Sequence, residues 1–345
     1  MSIAEHESLH RVEELWFPGA TLVFQAESSL YRVYSGILSA QSSVFRDMLT
    51  FPQPADDDSK GDTFDGCPKI VLHDKVGDVT AFFRAIFDCS FFIPPFTTSP
   101  PLATLSGILR LSHKYDVPHL RERCLLHLSS LYPTTLPAYD ALNYAPSILN
   151  LRPPPQTYPP LALLALLDEM HHADMPAPWL IPCIMYLAAC NPIDRILSCA
   201  AELGDDSSSS STNANALTAT KRALLSAYPK LTSSIHTSIL SFLHTPPSPS
   251  CLSPAKCTSE LLQLGHFVSS SWSKCHFPLE IWEEGDWEPI EGDLCVVCIR
   301  EARKMHKKAR ETFWKGLPGL FGVGGGEGGG WEELEKMREA LGRKI

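Results

Sequence analysis

The sequence carries little charge and contains no long apolar run. Charged residues make up 20% of the 345 positions and the formal net charge is −10, which argues against a general binder of nucleic acid. The longest apolar stretches, at 161–167 and 179–190, are too short or too interrupted by proline to cross a bilayer. We therefore expect both stretches to be buried core helices, and we expect no membrane association.

Signals of secretion are missing as well. The first ten residues include Glu5, His6 and Glu7 rather than a basic start and an apolar core, so no leader peptide is predicted. The sequence has no Asn-x-Ser/Thr glycosylation acceptor. Its 11 cysteines are scattered through a long chain, which indicates a reducing compartment. We expect the protein in the cytoplasm or the nucleus.

Catalytic motifs are also missing. No Gly-x-Ser-x-Gly, phosphate loop or His-Glu-x-x-His occurs. The glycine tract at 324–329 matches a dinucleotide-binding spacing, but no strand–helix–strand unit surrounds it. Glu169 and His172 have the spacing of di-iron ligands, but the second copy that such a site needs is absent. We predict a protein that is not an enzyme and has no catalytic residues.

The first third of the chain contains a series of short periodic segments. Apolar residues predict three strands and a helix, at 20–24, 30–34, 70–72 and 79–87. Ser42 is predicted to cap a short helix over 43–49 with its hydroxyl. A break at 116–118 divides a later apolar pattern into two helices. Residues 1–15 are predicted to be a polar lead-in with at most one helical turn.

The remaining sequence predicts helices separated by proline-rich and serine-rich segments. The expected helices are at 161–170, 180–189, 193–203, 217–228, 231–243 and 299–315, with a last one from Trp331. A low-complexity linker is predicted at 204–214, and aromatic loops are predicted after residue 255.

Three groups of residues in the first third have the order and spacing of one known domain. They are Tyr31, Val33, Leu38, Ala40, Ser42 and Phe45; then 70–72 and 82–87; then Leu109, Ser112, Tyr115, Val117, Leu120 and Cys124. On these residues, about a third of the chain resembles a BTB/POZ domain. The resemblance implies an α+β fold, a small sheet flanked by helical hairpins, that binds proteins and performs no chemistry.

The end of the chain carries a second resemblance. The matching residues are Leu294, Cys295, Cys298, His306, Arg310, Trp314, Leu317, Pro318, Phe321 and Gly322. With them, the chain resembles BTB proteins of a type abundant in mushroom-forming fungi, which share a helical middle region. We predict a BTB/POZ domain at 15–132, a helical region at 133–245 and a C-terminal Cys/Trp-rich module at 246–345.

The resemblance implies a scaffold that binds protein partners and homodimerises, without contacting nucleic acid directly. Many members of the family bury an apolar face between two copies, and such a face needs large apolar residues that one small domain cannot cover. The predicted interface residues are Leu15, Trp16, Phe17, Leu22, Phe24 and Phe45. One alternative is a transcriptional co-regulator. Another is a substrate adaptor of a cullin-type ubiquitin ligase, although the apolar-x-Glu motif of such adaptors is absent after Phe45.

The best metal-binding pattern is a single Cys-x-x-Cys. Two thiolates at this spacing, Cys295 and Cys298, can share one tetrahedral Zn²⁺, which needs two further ligands. His306 lies about 12 Å along a helix from Cys298, too far to share a metal, so Cys257 and Cys275 are predicted to complete the site. Buried structural cysteines without a metal are the competing interpretation. A small redox or zinc enzyme built on Cys295 and Cys298 is a third.

Overall fold

The computed structural model divides the chain into two compact units, Met1–Leu128 and Ser129–Arg343. The first unit ends at Leu128, near the predicted boundary at 132, and the predicted boundary at 245 lies inside the second unit. The residues that the structure describes are 9–50, 63–93, 100–142, 159–172, 177–191, 193–198, 211–272, 278–280, 282, 284–323 and 330–342.

The first unit contains a mixed five-stranded sheet. Its strands are β1 (His10–Trp16), β2 (Leu22–Ala26), β3 (Ser29–Val33), β4 (Thr63–Phe64) and β5 (Cys67–Leu72), in the order β1-β3-β2-β5-β4. β2 and β3 form an antiparallel hairpin, whereas β1 pairs with β3 and β2 pairs with β5 in parallel. The three strands predicted from the apolar alternation are therefore confirmed as β2, β3 and β5, with shifted bounds.

Strand β1 corrects the prediction of a polar lead-in. Leu15 is the buried residue of this strand, and most of the others face solvent. A strand at the edge of a sheet is held by its backbone hydrogen bonds to one neighbour and needs little apolar burial of its own. For this reason the side-chain pattern of 10–16 gave no sign of a strand.

Five helices follow the hairpin in the first unit or begin there. They are α1 (Ser35–Gln41), α2 (Ser43–Thr50), α3 (Val76–Phe87), α4 (Leu102–Lys114) and α5 (Pro118–Leu131). The predicted cap of α2 is confirmed, because the N–H of Phe45 donates to the Ser42 hydroxyl at 3.0 Å. The predicted break before Pro118 is confirmed as well, at Asp116, whose φ of +49° ends α4.

An aromatic cluster holds the sheet and the helices of the first unit together. Phe45 of α2 stacks on Tyr115 with ring centroids 4.5 Å apart, and it meets Phe24 of β2 at 5.6 Å. Phe83 of α3 meets Phe24 at 5.4 Å. Each aromatic pair of this kind contributes about 0.5–1.5 kcal/mol beyond the burial of its area. Val33 and Leu38 are fully buried in the same unit, so these two residues of the sequence pattern are interior.

The described part of the second unit is helical. Its helices are α6 (Leu136–Ala141), α7 (Pro160–His172), α8 (Ile181–Ala189), α9 (Ile193–Ser198), α10 (Ser211–Ser234), α11 (Pro254–Trp272), α12 (Glu284–Glu291), α13 (Val296–Leu320) and α14 (Trp331–Gly342). Short turns of other helix types lie at Pro178–Leu180, Ile235–Ile239 and Ser241–Leu243. Among the described residues, none of the helices is both long enough and apolar enough to cross a membrane.

Helix α10 corrects two predictions. It begins at Ser211, inside the predicted linker, and it continues through Pro229 where two helices were expected. Proline removes a backbone hydrogen bond within a helix. However, Leu224, Ala227 and Leu231 lie on one face and are at most 1% exposed. Continuous burial of this face stabilises the helix across the proline.

Helix α13 presents one buried face to the core of the second unit. The Arg310 guanidinium pairs with the Asp140 carboxylate at 2.6 Å and donates to the Leu279 carbonyl at 2.7 Å. One turn later, the Trp314 indole donates to the Thr134 carbonyl at 3.2 Å. The residues of the C-terminal sequence pattern at 298, 306, 310, 314, 317 and 318 are all buried on this helix. They therefore build the core of the second unit.

Candidate metal centre

Four cysteines converge where two helices of the second unit begin. Cys257 lies in the first turn of α11, and Cys298 lies in the first turn of α13. Cys295 immediately precedes α13 as its N-terminal cap residue. Cys251 comes from the turn before α11, where its N–H donates to the Ser248 carbonyl at 2.8 Å. The site is thus built from one irregular segment and two helix starts.

The sulfur atoms have the spacing of a tetrahedral metal site. All four Sγ atoms lie within 4.8 Å of one another, and those of Cys251 and Cys295 are 3.7 Å apart. A Zn²⁺ ion with four bonds of about 2.3 Å to sulfur requires sulfur–sulfur separations of about 3.8 Å. The sulfur group therefore has the size of a four-thiolate site.

The backbone around the site favours negative charge. The N-termini of α11 and α13 carry positive partial charge, because their first N–H groups have no partner within the helix. The N–H of Cys295 also points at the Cys257 sulfur, with nitrogen and sulfur 3.4 Å apart. Thiolates are the form that binds metal, so both helix starts favour the binding form.

The thiols differ in the direction of their pKa shifts. The backbone N–H groups of Cys298, first, and Leu252 stabilise the Cys295 thiolate and lower its pKa to about 6. Burial raises the pKa of Cys257 and raises that of Cys298 to about 12. A buried thiolate is costly without a balancing charge. A divalent cation supplies that charge to all four sulfurs at once.

The surroundings of the site are apolar around its two buried cysteines. Cys257 and Cys298 belong to a cluster of buried residues with Leu243, Leu261 and Leu294. A tetrahedral ion held by four thiolates keeps no position for a substrate, which is the arrangement of structural rather than catalytic sites. The arrangement can therefore link the starts of α11 and α13 to the segment before α11.

The structure brings together three of the four predicted ligands, Cys257, Cys295 and Cys298. Cys275, the fourth predicted ligand, lies outside the described residues. Cys251 provides the fourth sulfur instead, and the sequence analysis missed it. A Cys-x₅-Cys spacing ahead of the Cys-x-x-Cys was the available signal, but Cys251 stands in a proline-rich and serine-rich loop.

His306 is not part of the sulfur group. Its ring lies among those of Trp282, Trp287 and Phe242, with centroid distances of 5.2, 5.7 and 6.3 Å. Burial, together with the charge of Arg310, lowers the pKa of His306 to about 4. The imidazole is therefore neutral at pH 7 and forms part of an aromatic core.

The six residues predicted to form a partner surface are buried or half-buried in the first unit. Leu15, Leu22, Phe24 and Phe45 are at most 4% exposed in the single chain, so they fill the interior of the unit. The single chain thus places these four side chains in the core of the unit. Trp16 and Phe17 are half-buried, against Phe64 at 6.0 Å and Phe87 at 5.5 Å respectively.

Other apolar side chains of the first unit face solvent. Those that are at least 39% exposed are Leu9, Tyr34, Ile37, Val44, Val71 and Ile93. Ile37 of α1 and Val44 of α2 belong to two consecutive short helices that pack on each other, and Tyr34 precedes α1. The exposed apolar side chains at 34–44 therefore lie on or beside α1 and α2. The predicted residues of β2, Leu22 and Phe24, are buried instead.

Comparison of the chain with protein-family models, with curated proteins and with solved structures found no match.

Proposed function

We propose that the chain is a non-enzymatic scaffold whose first unit is a BTB/POZ-type module that homodimerises and binds other proteins. The order of its elements supports this: a hairpin, two short helices, a strand, a helix and a helical hairpin. Most of the residues on which the resemblance depends are buried, including Val33, Leu38, Phe45 and Tyr115, whereas Ala40 and Val71 are exposed. The order of the elements and the burial of these residues are the two observations that support the proposal.

The observation that carries the dimer proposal is the apolar surface of α1 and α2. Tyr34 and Ile37 are each 40% exposed, and Val44 is 39% exposed. Large apolar side chains that are grouped at a surface are typical of protein–protein contacts. A stable dimer buries about 1,200–2,000 Å² in total, and these helices supply the apolar centre of such a contact.

Sedimentation of the full chain at tens of micromolar tests this proposal. The wild-type chain is expected to sediment as a dimer. Replacing Ile37 and Val44 together by aspartate is expected to weaken dimerisation by about tenfold or more, since charge would enter the apolar contact. The matched control is Val71→Asp, at a side chain of similar exposure on β5. A monomeric wild-type chain would refute the dimer.

Affinity purification of the tagged chain from native cells distinguishes the two alternatives. Recovery of a cullin would favour a ligase adaptor, and recovery of chromatin proteins would favour a transcriptional co-regulator. The scaffold proposal expects protein partners whose capture is weakened by the Ile37 and Val44 substitutions or by loss of the first unit.

We further propose that Cys251, Cys257, Cys295 and Cys298 hold one structural Zn²⁺. The size of the sulfur group and the two helix starts that point at it support this. Elemental analysis of the purified chain should give one zinc per chain. Cys298→Ser should lose the metal, whereas Cys89→Ser, at an exposed cysteine of the first unit, should retain it.

A further inference from the structure

The four cysteines of the metal centre are not equally accessible. Cys257 and Cys298 are buried, at 0% and 6% exposure. Cys251 and Cys295 are only partly buried. The residues that follow them, Leu252 and Val296, are 69% and 63% exposed. Cys251 and Cys295 are therefore the more accessible two of the four cysteines.

These two accessible sulfurs also form a close pair. Their Sγ atoms are 3.7 Å apart, and a disulfide requires about 2.05 Å. Cys295 is fixed at the start of α13, whereas Cys251 lies in the irregular segment between Ser241–Leu243 and α11. A movement of this one segment can bring the sulfurs into bonding distance, because neither α11 nor α13 has to move.

We propose that Cys251 and Cys295 are a redox-reactive pair, which a hydroperoxide such as H₂O₂ oxidises to a disulfide with release of the zinc. This inference rests on the zinc site proposed above. One thiolate attacks the peroxide, an S–O bond forms, the O–O bond breaks and hydroxide leaves. The second thiolate attacks that sulfur, the S–S bond forms and a second hydroxide leaves. Two protons convert the hydroxides to water, and the two electrons that reduce the peroxide come from the sulfurs.

Loss of two thiolates empties the site. Cys257 and Cys298 remain, and two sulfurs do not complete the four ligands of a structural zinc site. The disulfide still joins the segment before α11 to the start of α13, but it no longer includes the first turn of α11. A thiol reductant together with Zn²⁺ restores the original four-sulfur arrangement. The connection that the metal makes between α11, α13 and the segment before α11 is therefore reversible and sensitive to peroxide.

Stoichiometric peroxide treatment of the zinc-loaded full chain tests the proposal. A metal-sensitive dye measures the released zinc, and peptide mass spectrometry identifies the disulfide. We expect one zinc released per chain, a disulfide between Cys251 and Cys295, and recovery of zinc binding after reduction. Cys89→Ser is the control. Cys89 is exposed but lies in the first unit, so this variant should release zinc as the wild-type chain does.

The outcomes separate this inference from the zinc proposal. A chain that is purified without zinc refutes the zinc site, while peptide mapping of the peroxide-treated metal-free chain still tests the reactive pair. Zinc that stays bound under peroxide refutes the inference and leaves the zinc site standing. A disulfide between Cys295 and Cys298, or between Cys251 and Cys257, also refutes the inference.

Discussion

The Sγ atoms of Cys251 and Cys295 lie 3.7 Å apart, although 44 positions separate the two residues in the chain. α11 and α12 both lie between them, so the folded second unit creates this proximity. With Cys257 and Cys298 the two residues complete a group of four sulfurs whose size fits a tetrahedral ion. The first prediction concerns the identity of these four ligands.

Cys251→Ser should weaken zinc binding by roughly 100-fold, because one of four thiolates supplies on the order of 3 kcal/mol of a total near 10–16 kcal/mol. Competition with a chelator of known affinity measures the change. Cys275→Ser is the matched control and should bind zinc as tightly as the wild-type chain. Reversed effects of the two substitutions would show that Cys275 is the fourth ligand.

A second prediction concerns Phe45, which stacks on Tyr115 and is fully buried. Phe45→Ala should lower the free energy of unfolding of the first unit by about 3–5 kcal/mol, because the truncation leaves a cavity. Hydrogen exchange of peptides from the first unit, followed through a denaturant titration, measures the change. The control Ile93→Ala, at a 52% exposed side chain outside the proposed dimer contact, should change it by no more than about 0.5 kcal/mol. Equal effects of the two substitutions would contradict this packing.

A third prediction concerns the ion pair of Arg310 and Asp140. The Arg310 side chain is 8% exposed and that of Asp140 is 29% exposed, so solvent screens the pair only in part. Asp140→Asn should destabilise the second unit by roughly 1–3 kcal/mol, because a buried cation loses its partner. Asp194→Asn, at an exposed position, is the control.

Thermal unfolding measures the effect, and a double-mutant cycle supplies the check. Adding Arg310→Met to Asp140→Asn should cost less than the sum of the two single changes, because no cation is then left unpaired. Strict additivity would show that the two side chains do not interact.

A fourth prediction concerns pH and His306, whose pKa burial lowers to about 4. The unfolded histidine has a pKa of about 6.5, so between pH 6.5 and 4 the unfolded chain binds a proton that the folded chain does not. Stability contributed by His306 is thus complete above about pH 6.5 and is lost as the pH falls towards 4. Between pH 7.5 and 5.5 the loss is about 1.4 kcal/mol.

Urea titrations at the two pH values measure this loss. His306→Gln should reduce the pH dependence of the unfolding free energy by that amount, whatever its own effect on stability. Leu262→Ala, at an exposed position of α11, removes no titratable group and should leave the pH dependence as in the wild-type chain. The same pH dependence in His306→Gln and the wild-type chain would contradict the burial of a neutral imidazole.

The sequence predicts the hairpin, α2 and the break at Asp116 because each has a local cause. Short runs of apolar residues define β2 and β3, the Ser42 hydroxyl caps α2, and Pro118 restricts the residue before it. β1 was missed because an edge strand is held by backbone pairing and shows no apolar alternation. A helix or strand with a local sequence signal can be predicted from the sequence. An edge strand that is held by pairing with its neighbour cannot.

The metal centre shows the same limit. The Cys-x-x-Cys was visible because Cys295 and Cys298 are close in sequence, whereas the choice between Cys251 and Cys275 depends on tertiary folding. α11 was missed since its buried face includes Cys257 and Leu261 among polar residues. Phe24 and Phe45 were predicted at an interface because they are large and apolar. The sequence alone does not distinguish a core residue from an interface residue.

X-ray absorption at the zinc edge of the purified full chain tests the metal centre most directly. We expect one zinc per chain with four sulfur neighbours at about 2.3 Å. In Cys251→Ser we expect the four-sulfur shell to be lost. A coordination shell with nitrogen or oxygen neighbours, or a Cys251→Ser chain that keeps four sulfurs around its zinc, would contradict this expectation.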